Sequence, residues 1–412
     1  VQPGDRVAAL MPNTWQTVVG MLAAASIGAV WSSCSPDFGA QGVVDRFGQI
    51  EPRVLIACSG YRYAGKQLDM SSKLAEILPQ LGGLQQLIMV PYGGVQPCLA
   101  EFASVVSTVH WDHVSQPAGS PAFTALPFAQ PLYILYSSGT TGVPKCIVHG
   151  AGGTLLQHLK EHGLHTDLGS EDVLFYFTTC GWMMWNWLVS GLALGATLVL
   201  YDGSPFEPSA DRLIDLIDAE GISVFGTSAK YLAALEKAGV EPHRSHQLRR
   251  LKAVLSTGSP LAHEGFDYVY RCFKSDLCLS SISGGTDIVS CFALGNPTAP
   301  VWRGELQCKG LGMAVEVWDD EGQRLAEGKG EEALEAALGI DKKPNGKGWR
   351  DHPLGLQLVF ERSKAMAGAG QGERGAREIY KMLKEAQAAA DKGDDAARRR
   401  FIDACKVLSE IS

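Results

Sequence analysis

The sequence lacks the features that mark several broad classes of protein. Its longest early apolar run, residues 18–30, is 13 residues long, short of the ~20 that a membrane-spanning helix needs. The run also lacks the basic flank of a secretory signal, so we interpret it as a buried core helix. Basic residues are in deficit, with 36 Lys and Arg against 44 Asp and Glu, which argues against a nucleic-acid partner.

The ten cysteines form no C-x-x-C pair, which argues against a zinc ribbon or a thioredoxin-like site. Several of them, such as Cys146, lie in apolar strand-like runs. We therefore expect reduced, buried cysteines in a cytoplasmic protein. Charged residues make up only 19% of the 412 residues, so the chain can bury the cores of two or three domains.

Short apolar runs alternate with helical patterns along most of the chain. We predict strands at residues 6–10, 29–33, 54–57, 87–90, 133–136, 197–200, 224–225 and 253–255, and helices at 14–28, 210–219 and 229–238. This alternation predicts an α/β fold with mostly parallel sheets flanked by helices on both faces. In such folds ligands bind beyond the carboxyl ends of the strands.

The composition changes near residue 330. The 82 residues after it hold 29 of the 80 charged residues. We predict a first domain over 1–330, an irregular linker-like segment over 331–372, and a helical C-terminal tail over 373–412. The tail has apolar residues at helical spacing and is expected to mediate self- or partner association.

One loop combines glycine, hydroxyl groups and a cation in a pattern suited to polyphosphate. It follows the strand-like run 132–136 and contains Ser137, Ser138, Gly139, Thr140, Thr141, Gly142 and Lys145. Glycines allow backbone N–H groups to point inward, hydroxyls donate to phosphate oxygens, and lysine adds charge. The spacing G-x-x-G-x-x-K is not that of a P-loop. The alternative is an ordinary surface turn between two hairpin strands.

The string at 137–145 resembles the AMP-binding motif of the adenylate-forming superfamily, which includes acyl-CoA synthetases, luciferases and peptide-synthetase adenylation domains. Residues 147–150 fit its short-chain branch. The strings at 178–187, 281–290, 301–308 and 310–317 are similar to those of acetoacetyl-CoA synthetases in particular. The resemblance extends from residue 1 to about 330 and implies a layered adenylate-forming core.

The resemblance assigns roles to Gly285, Thr286 and Asp287, which follow a predicted strand. Thr286 would contact the adenylate phosphate, and Asp287 occupies the position of the family glutamate. A carboxylate there suits Mg²⁺, a hard ion that prefers oxygen ligands, either directly or through water. We accordingly expect Lys145, Thr286 and Asp287 to be the catalytic residues. The alternative for Asp287 is an Asx turn or a helix cap.

Two further segments match ligand-lining positions of the family. Thr257, Gly258, Ser259 and Pro260 resemble the loop along the adenine, although a turn capped by Ser259 explains them too. Trp182 and the segment Gly226, Thr227 and Ser228 resemble the walls of a small acyl pocket. An aromatic stripe is also typical of core, and Thr227 or Ser228 is also a plausible helix N-cap.

The histidines form no recognisable motif. His158, His162 and His165 recur at helical spacing, and we interpret them as a solvated helix face rather than metal ligands. His149 is expected to be a packed residue at a strand end.

The resemblance implies an acid–thiol ligase that uses ATP, Mg²⁺ and coenzyme A, with a small carboxylic acid, acetoacetate, as substrate. One alternative keeps the adenylation but takes acetate, propionate or another short acid. The other is a nucleotide-binding remnant without catalysis, whose tail is an interaction module. Pyrophosphate exchange separates the three.

The sequence departs from the family pattern in three places. It begins at a point well inside the family sequence, so we expect an N-terminal portion to be missing. After residue 331 the strand and the ribose-binding aspartate of the family are replaced by an unrelated charged segment. The C-terminal domain with its catalytic lysine is not recognisable. A truncated gene, a chimera and a misassembled reading frame all explain this pattern.

Overall fold

The structure is a computed structural model, and it describes residues 1–63, 65–116, 119–120, 122–137 and 142–318. The chain divides into a unit Val1–Leu311 and a unit Gly312–Ser412, and the second is described only over 312–318. The predicted linker over 331–372 and the predicted tail over 373–412 lie outside the described residues. Within those residues no helix has the length and apolar character needed to cross a membrane.

The elements of the first unit alternate along the chain. The strands are β1 Arg6–Leu10, β2 Val30–Cys34, β3 Val54–Cys58, β4 Gly60–Tyr63, β5 Lys66–Asp69, β6 Gln86–Val90, β7 Ser107–His110, β8 Pro131–Ser137, β9 Lys145–Gly150, β10 Val173–Tyr176, β11 Thr197–Val199, β12 Val224–Ser228, β13 Ala253–Thr257, β14 Cys278–Ser281, β15 Ser283–Gly285, β16 Ser290–Leu294 and β17 Cys308–Lys309. The helices are α1 Trp15–Ser26, α2 Ala40–Ile50, α3 Ser71–Ile77, α4 Leu99–Phe102, α5 Trp111–Val114, α6 Ala151–Lys160, α7 Met183–Ser190, α8 Arg212–Glu220, α9 Ala229–Lys237, α10 Pro242–Ser245 and α11 His263–Tyr268. Short 3₁₀ turns Leu78–Gln80 and Gly191–Leu194 and π-helical turns Glu161–His165 and Val269–Phe273 complete the set.

The larger sheet has the strand order β7-β6-β3-β1-β2-β8-β9. Its pairs are parallel except for the last, in which β8 and β9 form an antiparallel hairpin. The strand β1 is central, because β2 adds to one side of it and β3 to the other. Open α/β sheets bind ligands at the carboxyl edge beside such a reversal of strand order.

The second sheet has the order β11-β10-β12-β13-β14, and all its pairs are parallel. Here β10 takes the place that β1 has in the larger sheet, with β11 on one side and β12 on the other. Both sheets therefore repeat one topology, although no repeat is evident in the sequence. A smaller antiparallel sheet, β15-β16-β17, follows β14.

The second sheet is buried on both faces. Phe175 packs with residues of α8, α9 and α11 on one face, whereas its neighbour Leu174 packs with Trp187 and Leu188 of α7 on the other. Successive strand residues point to opposite faces, so such a strand is apolar throughout. This explains why the strand runs in the sequence are continuous rather than alternating.

The predicted fold class is confirmed, with mostly parallel sheets flanked by helices, and the predicted strands lie within a few residues of the observed ones. The apolar run at 18–30 is largely α1, which buries one face that includes Val18, Met21 and Ala24. Nine cysteines lie in the described part of the chain, and none of these nine is in a disulfide. Cys146 is exposed rather than buried, because β9 is the edge strand of its sheet.

Candidate nucleotide-binding site

The carboxyl ends of the strands in the second sheet bring several predicted site segments side by side. β12 ends at Ser228, β13 at Thr257 and β14 at Ser281. The register pairs Ser228 with Thr257 and Ser256 with Ser281. One edge of the sheet thus carries the segments around residues 226–228, 257–260 and 283–287, which are up to about 60 residues apart in the chain. This is the edge at which such folds bind ligands.

The segment after β13 leaves the sheet in a conformation that requires glycine. Gly258 has φ of +88°, a value that residues with a Cβ rarely adopt. The Thr257 hydroxyl donates to the carbonyl of Ile282 at 3.1 Å, which holds this segment beside β15. Ser259 and Pro260 are exposed. The alternative of a helix capped by Ser259 is wrong, because α11 begins at His263 with Ala262 at its N-cap.

The end of β12 combines packing and polar roles. A Cβ at Gly226 would lie 2.1 Å from the ring of Tyr176, so glycine is needed here for strand packing. The Ser228 hydroxyl accepts the N–H of Tyr231 at 3.2 Å and is the N-cap of α9. This bears out the capping alternative for Ser228. The hydroxyl of Thr227 is buried without a hydrogen-bond partner among the described residues, as is that of Ser256.

Thr286 and Asp287 lie in the connection of the β15–β16 hairpin. Residues 286–289 join the two strands, and the N–H of Val289 donates to the carbonyl of Thr286 at 3.2 Å. Val289 is buried and has φ of +48°. For a β-branched residue this left-handed conformation costs about 1–3 kcal/mol. The turn that presents Asp287 to solvent is therefore strained and needs support from its surroundings.

The approach of the two strands in this hairpin depends on a second glycine. A Cβ at Gly284 would lie 2.4 Å from the carbonyl oxygen of Ser290. Gly285 and Thr286 are half-buried, whereas Asp287 is exposed. The carboxylate at the tip of the turn is thus accessible to a ligand.

The predicted phosphate loop is the connection of the β8–β9 hairpin, whose last pair is Ser137 with Lys145. Lys145 is exposed at the start of β9, and Gly142 has φ of +109° with open space around it. The side chain of Gln49 in α2 donates to the carbonyl of Pro144 at 2.8 Å. Ser138, Gly139, Thr140 and Thr141 lie outside the described residues.

His149 lies near the end of β9, close to the turn of the β15–β16 hairpin. Its pKa is lowered by burial, against the opposing effects of the Thr286 backbone and of the Asp287 charge. The expectation of a packed strand-end residue is confirmed. From Lys145 to His149 the strand covers roughly 13 Å. β9 therefore spans the distance between the phosphate loop and the Thr286–Asp287 turn.

The loop after β10 joins the carboxyl edges of both sheets. The Cys180 thiol donates to the carbonyl of Met11, which follows β1, and the Ser33 hydroxyl of β2 donates to the carbonyl of Cys180, both at 2.6 Å. Two residues further on, Trp182 is 64% exposed. The aromatic residues that follow, Trp185 and Trp187, are fully buried and belong to the core. Of the three tryptophans only Trp182 stays a candidate for the acyl pocket.

The prediction of a solvated face for His158, His162 and His165 is wrong, because all three are buried. Their ring nitrogens hydrogen-bond the backbone carbonyls of Val289, Trp187 and Gly295 at 2.7, 2.8 and 2.8 Å, respectively. Burial lowers the pKa of His162 to about 3 and also lowers that of His158. In sequence, polar residues at helical spacing look the same whether their partners are water or backbone.

Sequence reasoning missed Glu161, a carboxylate with no exposed surface. Its Oε2 accepts the indole N–H of Trp187 at 2.9 Å. Its Oε1 accepts the N–H of Cys291 at 3.1 Å, the side-chain N–H of Gln157 at 3.1 Å and the hydroxyl of Ser290. The nearest cation is Lys160, 3.7 Å away. No local pattern distinguishes this glutamate from an exposed one, because all but two of these partners are distant in sequence.

The AMP-binding enzyme family model matches residues 1–333. The chain therefore belongs to this family of enzymes, as the resemblance of the phosphate loop implied.

Individual relatives carry narrower names than the family. The chain is similar to the acetoacetyl-coenzyme A synthetase of Rhizobium meliloti (strain 1021), with 59% identity over 328 residues, which are 80% of this chain and 50% of the relative. It is 50% identical to the acetoacetyl-CoA synthetase of Mus musculus over 336 residues, again 80% of this chain and 50% of the relative. Among solved structures, acetoacetyl-CoA synthetase from Streptomyces lividans matches with a TM-score of 0.75 and 47% identity over 79% of this chain and 50% of that one. The chain thus spans about half the length of the relatives that it matches.

Proposed function

We propose that this chain forms the adenylation site of an acid–thiol ligase that acts on acetoacetate. The observation that carries the proposal is the strand register that aligns Ser228 with Thr257 and Ser256 with Ser281 at one carboxyl edge. The identity to relatives named acetoacetyl-CoA synthetase adds the choice of acid. The predicted boundary near residue 330 is part of the same proposal and is supported by the extent of the family match.

Several features of this edge suit a nucleotide. Gly258 leaves backbone uncovered for the face of a base, since no atom lies within 4 Å of where its Cβ would be. Ser259 and Pro260 are exposed beside it. The unpartnered hydroxyls of Thr227 and Ser256 are in-register neighbours. Buried hydroxyls without a partner cost about 1–3 kcal/mol each, so a bound polar group at this edge would offset an existing cost.

In the first half-reaction an acetoacetate carboxylate oxygen attacks the α-phosphorus of ATP. A new P–O bond forms, the bond to the β-phosphate bridging oxygen breaks, and pyrophosphate leaves with the electron pair. The role of the protein is to hold both substrates in line and to neutralise charge. Lys145 and the hydroxyls of Ser137, Ser138, Thr140 and Thr141 would bind the polyphosphate, and Thr286 the phosphate of the adenylate.

Mg²⁺ would enter with ATP and screen the phosphate charge. Mg²⁺ is usually held by one or two carboxylates together with substrate phosphates and water. The exposed carboxylate of Asp287 fits that requirement, directly or through a water molecule. In the second half-reaction the coenzyme A thiolate attacks the acyl carbon, and AMP leaves to give acetoacetyl-CoA.

Trp182, Gly226, Thr227 and Ser228 would line the acyl group. Trp182 offers an exposed aromatic face beside Gly181, where a Cβ would approach the ring of Phe38 to 2.9 Å. A small acid needs a small pocket with few polar groups. We propose a cytoplasmic location, in keeping with nine described cysteines that form no disulfide among themselves.

The test is acid-dependent exchange of labelled pyrophosphate into ATP by the chain, with acetoacetate, acetate and butyrate assayed side by side. We expect exchange with acetoacetate to exceed that with the other acids. Exchange with acetate alone would favour a short-chain synthetase of different specificity. Binding of ATP by calorimetry without exchange with any acid would favour the nucleotide-binding remnant.

A further inference from the structure

The turn that carries Thr286 and Asp287 is hydrogen-bonded by a polar cluster, which we name the clamp: the half-buried Gln157 and the buried His158 and Glu161. His158 Nε2 is 2.7 Å from the carbonyl oxygen of Val289. A carbonyl oxygen only accepts, so this nitrogen carries the proton of the bond. Both His158 and Glu161 are fully buried, so their bonds to the turn are shielded from solvent.

The contacts of the clamp fall on consecutive residues at the end of the turn. His158 bonds Val289, while Glu161 accepts the hydroxyl of Ser290 and the N–H of Cys291. Gln157 also donates to the Ser290 hydroxyl. The clamp therefore bonds the last residue of the turn and the first two residues of β16, and these bonds do not involve Thr286 or Asp287.

Val289 explains why such a grip is needed. Its φ of +48° is unfavourable for a β-branched side chain. Without external bonds the backbone would relax towards an extended or right-handed conformation, and the turn 286–289 would change shape with it. Strained backbone persists only where the surrounding structure holds it, and it concentrates at functional sites.

We propose that His158 and Glu161 are positioning residues for adenylation, which hold the strained end of the hairpin so that Thr286 and Asp287 meet the phosphates of the substrate. This inference rests on the proposed function, because the residues that are positioned are those assigned to the adenylate and to Mg²⁺. The clamp lies in α6 and the π-helical turn after it. Such π-helical turns are frequent at functional sites.

The decisive variant is His158→Asn. The asparagine amide takes the place of Nδ1, which faces the Ser190 hydroxyl at 2.7 Å, but it is too short to reach Val289. We expect the maximal rate of acetoacetate-dependent pyrophosphate exchange, per folded molecule, to fall about 10- to 100-fold, because small misplacements in an active site have effects of this size. The KM for MgATP should change far less, since the loss is in positioning and not in ground-state binding.

Two matched variants separate positioning from packing. His158→Gln is the conservative variant, because its longer amide can reach the position of Nε2 and restore the bond to Val289, so the rate should recover. His162→Asn is the control. His162 is equally buried, and its Nε2 bonds the backbone carbonyl of Trp187 at 2.8 Å, a residue outside the turn. His162→Asn should lower stability without lowering the exchange rate per folded molecule.

A third variant tests the role of strain. Glycine adopts positive φ at little cost, so Val289→Gly added to His158→Asn should recover most of the lost rate, although it removes a buried side chain. A purely structural role for His158 predicts the opposite, since the double variant would then be the least stable and no more active. Should His158→Asn fail to fold, Ser290→Ala removes the two clamp bonds of the Ser290 hydroxyl, with Glu161 and with Gln157, without altering α6, and it should lower the rate in the same direction.

The outcomes distinguish the inference from the proposed function. If the unaltered chain shows no exchange with any acid, the proposed function fails and the inference falls with it. If the unaltered chain exchanges but His158→Asn matches His162→Asn per folded molecule, or Ser290→Ala keeps the full rate, the inference alone is overturned. A loss in His158→Asn that His158→Gln and Val289→Gly each restore would support it.

Discussion

The two hairpins that carry the predicted nucleotide-binding residues differ in how they are supported. In the β8–β9 hairpin an exposed lysine starts the edge strand β9, and within the described part of its connection a side chain of α2 bonds the carbonyl of Pro144. The β15–β16 hairpin holds a strained Val289, and buried side chains of α6 and of the turn after it bond its second strand.

This difference matches the chemistry expected of each loop. A loop that wraps a polyphosphate needs glycines and free hydrogen-bond donors along its own length. The carboxylate and hydroxyl expected to act at the α-phosphate, those of Asp287 and Thr286, must be held in place before the substrate binds. Preorganised groups stabilise a transition state without reorganisation. The first hairpin is therefore recognisable by its own residues, whereas the second depends on residues far away in the chain.

Glu161→Ala, which removes a support of the second hairpin, is expected to have the largest effect on stability. It would leave the donors of Trp187, Cys291 and Ser290 buried without their acceptor. Removing one partner of such a buried charged network costs about 3–5 kcal/mol of unfolding free energy. Urea unfolding measures the loss, with Lys145→Ala as a surface control expected to stay within about 0.5 kcal/mol. Equal losses in the two variants would contradict the difference between the hairpins.

A pair of glycine substitutions compares the two hairpins directly. Gly284→Ala places a methyl group 2.4 Å from a backbone oxygen, and a backbone neighbour cannot turn aside, so we expect a loss of about 3 kcal/mol, the upper part of the range for overpacking. Gly142→Ala has open space around it but keeps a φ of +109°, so it meets backbone strain without a clash, and the loss should be about 1–2 kcal/mol. Urea unfolding measures the loss of unfolding free energy in both variants. Similar losses would mean that both hairpins are equally constrained.

Acid should lower the stability of the fold through the buried histidines of α6 and of the turn after it. The folded-state pKa of His162 is about 3, below the unfolded value of ~6.5, so the unfolded state binds more protons between these values. Stability is then lost as the pH falls below ~6.5, by about 2 kcal/mol at pH 5 from this group. His158, whose pKa is also lowered, acts in the same direction.

The measurement is the urea-unfolding free energy of the unaltered chain and of His162→Gln at pH 7 and pH 5. The variant should lose less stability over this interval, by about the contribution of one histidine. An identical pH dependence in both proteins would show that His162 is not held neutral in the folded state.

The smallest effect is expected at the first hairpin. Lys145→Ala removes an exposed charge and should weaken MgATP binding about 10-fold, which corresponds to ~1.4 kcal/mol. Asp287→Ala should weaken it in the same direction. Calorimetric titration with MgATP tests both variants, and unchanged affinity in each would mean that the motifs no longer bind nucleotide in this chain.

The sequence by itself determined the fold class, most strand positions and the family. Continuous apolar runs such as residues 253–255 identify strands buried on both faces. The string from Ser137 to Lys145 is distinctive because its glycines, hydroxyls and cation occur together within nine residues. Its chemistry is local, and a local pattern is sufficient to find it.

Only the tertiary structure decided what the polar residues of α6 and the turn after it do. His158 and Glu161 sit among polar neighbours at helical spacing, a pattern typical of a solvated face, yet their partners Val289 and Cys291 are 131 and 130 residues further along the chain. Burial of a polar group is a property of the packed elements around it and not of its neighbours in sequence. Which polar side chains face water and which hold the Thr286–Asp287 turn was therefore settled by packing.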